Sequence, residues 1–88
     1  MAYRLRVSDR AVQEIGEAYE WYEEQLHGLG VEFIDALDVL FPEIRRGIRR
    51  TLLSHFPYGV FYASKGDVVS VLAVVHTARN PRCWPRQP

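Results

Sequence analysis

Residues 68–75 read Val-Val-Ser-Val-Leu-Ala-Val-Val, with one hydroxyl in an otherwise apolar, mostly β-branched run. Such a run is the pattern of a strand buried on both faces. A chain that contains it needs neighbours on either side of the strand and layers above and below it. Upstream, Tyr58-Gly59-Val60-Phe61-Tyr62-Ala63 supplies a second strand, and Ser64-Lys65-Gly66-Asp67 is a hairpin turn between the two. Pro57 separates this hairpin from 48–56, a mixture of apolar residues and arginine that reads as another strand.

The cover has to come from the first half. Tyr3, Leu5 and Val7 alternate with Arg4 and Arg6, the period of a half-buried strand. Ser8 or Asp9 then offers a side-chain oxygen to cap a helix. That helix is expected from Asp9 to His27, with an apolar stripe of Val12, Ile15, Tyr19, Tyr22 and Leu26. Gly28-Leu29-Gly30 turns the chain. A second helix carries Val31, Ile34, Leu37, Leu40 and Phe41, helped by Phe33. It is expected to stop before Pro42, because proline disfavours helix in its predecessor.

The order is strand, helix, helix, strand, strand, strand. It predicts an α+β fold, in which an N-terminal strand and a helical hairpin precede a three-stranded antiparallel meander in one small sheet. With 88 residues, the expectation is one domain spanning 1–88. Cys83 has no partner for a disulfide, and no apolar run has the length of a membrane span. No signal peptide is read at the N-terminus, so a cytoplasmic location without membrane contact is expected.

Net charge is zero, yet the charges are segregated. Residues 1–44 hold ten acids and three arginines, while 45–88 hold seven arginines, one lysine and the single acid Asp67. One reading is internal neutralisation of acidic helices by a basic sheet. The other is a basic face for an acidic partner or nucleic acid. Arg45, Arg46, Arg49 and Arg50 form one group, and Arg79, Arg82 and Arg86 another. With Tyr58, Tyr62 and Trp84 they suit peptide docking or, less well, base stacking and phosphate binding.

Other chemistry is poorly represented. His27, His55, His76 and Cys83 lack the close pairing of zinc ligands, so no metal is expected, and no glycine-rich phosphate loop or other cofactor motif is present. His76, at the end of the central strand, is the histidine best placed for proton transfer.

Glu20-Trp21-Tyr22-Glu23-Glu24-Gln25, Gly28-Leu29-Gly30 and Phe33 resemble the first helix and turn of ParE-type toxins. Arg50, then Phe56-Pro57-Tyr58-Gly59-Val60-Phe61-Tyr62, Val74-Val75-His76, Arg79, Pro81 and Trp84 resemble the sheet and tail of the same RelE/ParE superfamily. The resemblance implies the toxin of a type II toxin–antitoxin module, neutralised by a cognate antitoxin. ParE-like members block DNA gyrase; RelE-like members cut messenger RNA on the ribosome. For a ribonuclease the resemblance would make His76, Arg79 and Arg50 the catalytic set, with arginine stabilising phosphate charge. Against that, Gly59 stands where RelE-like members carry a catalytic arginine, Arg49 and Arg50 replace a lysine-rich strand, and Trp84 stands in place of a terminal tyrosine. Arg49, Arg50, Tyr58, Tyr62, Arg82 and Trp84 are the residues expected to meet a partner. Relative to the family about a dozen residues are missing after Leu40, which implies a second helix of only about three turns at about 1.5 Å per residue. A shortened member that binds antitoxin without being toxic is a further reading.

Overall fold

The computed structural model describes residues 3–49 and 51–78. Three strands and two helices follow in the order β1 (Arg4–Val7), α1 (Asp9–Gln25), α2 (Leu29–Arg45), β2 (Tyr58–Lys65) and β3 (Val68–His76). The sheet order is β1-β3-β2, so the apolar run is the central strand, as its composition demands. β2 and β3 form the antiparallel hairpin, closing at Gly66, whose φ is 61°. β1 pairs with β3 in parallel, Arg4 opposite Val68 and Val7 opposite Val71.

The expected strand at 48–56 reduces to a short antiparallel contact. Leu52 bridges Gly59, Leu53 N–H donates to the Tyr58 carbonyl (3.1 Å), and Val60 N–H donates to the Thr51 carbonyl (2.7 Å). The meander is therefore a two-stranded hairpin with a fragment at its edge, and the sheet is mixed. His55, at a φ of 68°, helps turn this segment away from extended pairing before Pro57.

β3 also departs from burial on both faces along its length. A bulge lies between Phe61, paired with Ala73, and Tyr62, paired with Val71, leaving Leu72 extra. It shifts the alternation by one. Val69, Val71 and Val74 thus all join the core shared with the helices. From Ala73 to Val75 the strand is buried continuously.

α1 begins at Ser8. Its hydroxyl accepts from Ala11 N–H (3.1 Å) and donates to the Leu72 carbonyl (2.9 Å), so one side chain caps the helix and pins it to β3. β1 stops opposite Val71, and α1 takes over the vacant edge. There Glu14 Oε1 accepts from the Val74 amide at 2.9 Å. The buried stripe of α1 is Ala11, Ala18 and Tyr22 with Ile15, one position round from the expected one. Val12, Tyr19 and Leu26 face outward. The small Ala11 and Ala18 let the helix approach the strand closely, which bulkier side chains at 12 and 19 would prevent.

α2 runs 17 residues and passes through Pro42, so it is neither stopped there nor shortened to three turns. Pro42 removes one hydrogen bond, to the Asp38 carbonyl, but Asp38 and Pro42 lie on the exposed side. Leu40 and Ile44, either side of the proline, are 3% and 2% exposed, and their burial carries the helix through its last turn. Gly30 is a contact residue rather than a turn residue: a Cβ there would lie 2.7 Å from the Tyr19 carbonyl oxygen.

The helical turn is organised by Glu23. Its carboxylate accepts from the amides of Gly28 (3.1 Å), Gly30 (3.0 Å) and Val31 (3.4 Å), and His27 Nδ1 lies 3.3 Å away. Gly28, in the left-handed region with φ 94°, has no capping side chain of its own, and Glu23 takes that role for α2. The Gly28 amide chiefly, then Val31 and Gly30, with His27 adding to them, hold the Glu23 carboxyl below its ordinary value against the opposing effect of desolvation. A lowered folded-state value means that Glu23 stabilises the fold at neutral pH and loses that contribution as acid protonates it. Glu23→Gln should lower the urea midpoint at neutral pH and converge on the parent protein as pH falls through the carboxylate range. An unchanged gap in acid would show that the charge is not what matters.

Candidate functional site

Tyr22, Phe33, Phe56 and Tyr58 form an aromatic cluster that joins both helices to the hairpin. Tyr22 and Phe33 lie 5.5 Å apart, Phe33 and Tyr58 5.1 Å, and Tyr22 and Phe56 5.0 Å between ring centroids. The contacts are mainly edge-to-face, which the ring quadrupoles favour. Burial pushes the Tyr22 hydroxyl above its ordinary value, with Tyr58 adding to the shift. Tyr58 is 6% exposed, so it is part of this core rather than a surface that a partner could touch.

His76 stacks edge-on against Tyr58 at 5.3 Å, and its Nδ1 accepts from the Ala78 amide at 3.1 Å. In the neutral ring that leaves Nε2 as the N–H. Its proposed ribonuclease companions Arg50 and Arg79, and the expected partner contacts Arg82 and Trp84, lie outside the described residues. Among the described residues, no cluster of three histidine, cysteine, aspartate or glutamate side chains is arranged to hold a metal.

A groove of about 510 Å³ runs along the outer edge of β2, beside the end of α2. Tyr3, Ile44, Ile48, Arg49, Leu52 and Tyr62 line it, so it takes in two of the expected contacts, Arg49 and Tyr62. Ile48 and Leu52 are 46% and 59% exposed, and Arg49 is exposed beside Arg45 and Arg46. Among the described residues the strand edge is open here beyond the contact with Thr51 and Leu52. Val60 points its amide outward to Thr51; by strand alternation Tyr62 and Ser64 point theirs the same way. Neither has a strand partner on that side among the described residues.

Two arginines from the acidic half join the basic end. Arg4 and Arg6 of β1 line a shallow depression with Arg45, whose Nε donates to the Tyr3 carbonyl at 3.3 Å. Arg4 and Lys65 flank Val68 on either side of β3. Counting charge by halves of the chain missed them, because the parallel pairing of β1 carries them across. The alternation of Arg4 and Arg6 with half-buried apolar residues was the signal available.

No protein-family model and no curated protein matches the sequence. A solved structure does.

The chain superimposes on one from a chromosomal ParDE TA system from P. aeruginosa with a TM-score of 0.74, over 85% of this chain and 96% of that one, at 13% sequence identity. At that identity the likeness establishes a shared α+β fold. Among the described residues no helix is long and apolar enough to cross a membrane.

The division between core and groove is measurable. Tyr58→Ala should cost about 3–5 kcal/mol of stability in urea unfolding, in the range for large buried aromatics. Arg49→Glu should change stability by less than about 0.5 kcal/mol, as surface positions do. Comparable losses for the two would refute the assignment.

Proposed function

We propose that the chain is the toxin of a type II toxin–antitoxin module and that its antitoxin binds in the groove along β2. The single observation that carries this reading is the meeting, at one place, of an open strand edge, apolar walls and arginine. An extended peptide can add a strand to the free Tyr62 and Ser64 groups, set apolar side chains against Ile48 and Leu52, and bring carboxylates to Arg49. Apolar anchors would supply most of the affinity, and charge would guide the encounter. The antitoxin is thus an acidic, partly apolar segment. The fold shared with a chain of a ParDE system supports the same module.

For the target, the favoured reading is a protein, with DNA gyrase the one implied by resemblance to ParE-type toxins. The tethered Nδ1 of His76 and the glycine at position 59 give the ribosome-dependent ribonuclease no added support. Expression of the chain alone from a tight promoter should arrest growth, and co-expression of the protein encoded beside it should restore growth. Purified chain should inhibit supercoiling by gyrase. Unimpaired growth at high expression would reject toxicity, and unaffected supercoiling with growth arrest intact would reject gyrase alone.

A further inference from the structure

A second groove lies on the other side of α2. It encloses about 490 Å³ between the outer face of that helix and the segment 54–56. Leu29, Ala36, Val39 and Phe56 give it an apolar floor, and Glu32 and Asp35 stand on its rim. Those residues of α2 recur at helical spacing, so they share one face. Val39 is 61% exposed, an unusual position for a branched apolar side chain on a helix that already buries Phe33, Leu37, Leu40 and Ile44 elsewhere. Neither Glu32 nor Asp35 forms an ion pair with another described residue. The opposite wall is shaped by His55, held at a φ of 68°, where a non-glycine residue is disfavoured.

The geometry points to this groove as a docking site for a positively charged, partly apolar segment of another protein. The chemistry is the reverse of that at the β2 edge: an apolar floor with negative rim charges selects lysine or arginine flanking an apolar anchor. A second copy of the chain is a poor occupant. A two-fold contact through this patch would set Glu32 and Asp35 against their own counterparts. The two grooves lie on different sides of α2, so an acidic segment and a basic one can be held at once. The site stands apart from the toxin reading and does not need it.

The test is a two-dimensional amide NMR titration of the full chain with an amphipathic leucine–lysine peptide, and with the matching leucine–glutamate peptide. The lysine peptide should shift Leu29, Ala36, Val39 and Phe56, and the glutamate peptide should leave them still. Val39→Ser and Glu32→Lys, both exposed changes, should each weaken lysine-peptide binding roughly tenfold, the effect of losing one apolar anchor or one desolvated charge pair. Far-UV circular dichroism of both variants should match the parent protein, so that loss of binding is not loss of fold. Shifts confined to the exposed acids of α1, equal binding of the two peptides, or a dimer abolished by Val39→Ser would each overturn the proposal.

Discussion

Strand β3 is stable only when both of its edges and the apolar side chains along it are taken out of water. β1 pairs with one edge as far as Val71, and Glu14 of α1 and the capping Ser8 satisfy the next backbone groups, at Val74 and Leu72. β2 pairs with the other edge throughout. The helical hairpin then closes over Val69, Val71 and Val74 through Phe33, Leu37, Leu40 and Ile44. Each of these placements follows from the same requirement, because an unpaired buried amide costs about as much as a hydrogen bond is worth. Among the described residues no buried side-chain polar atom lacks a partner.

The parts of this plan that depend on period and punctuation were legible in the sequence. β1, the Ser8 cap, the two helices and the hairpin at Gly66 all stand close to where alternation, helical spacing and turn residues put them. What escaped depends on contacts between distant residues. The helix continues through Pro42 because Ile44 finds a buried seat. The apolar stripe of α1 turns by one position because alanines, not the larger Val12 and Tyr19, fit against β3. The bulge at Leu72 is set by pairing across the hairpin, and no local residue announces it. Segment 48–56 has strand composition but makes only one bridge.

The candidate site was half legible. Arg49 and Tyr62 do meet in one groove, whereas Tyr58, which reads as another surface aromatic, faces the core. Glu23 is one of several acids in the sequence of α1, and its three amide contacts mark it as the residue that holds the helical turn. Charge segregation along the chain survives folding in part. Arg4, Arg6, Arg45, Arg46 and Arg49 are exposed, while Glu32, Asp35 and Asp38 are exposed on α2. The ion pairs Arg10–Glu14 and His27–Glu23 are short-range and lie within α1 and its end. Opposite charges kept apart on the surface remain available to steer partners.

The central claim is that an antitoxin segment extends the sheet at the open edge of β2. Hydrogen–deuterium exchange of the chain, free and in complex with the protein encoded beside it, addresses that edge residue by residue. In the free chain the outward amides of Tyr62 and Ser64 should exchange quickly, and in the complex both should slow together with Ile48 and Leu52. Unchanged exchange at Tyr62 and Ser64 in a saturated complex, with protection confined to the outer faces of α1 and α2, would contradict the account.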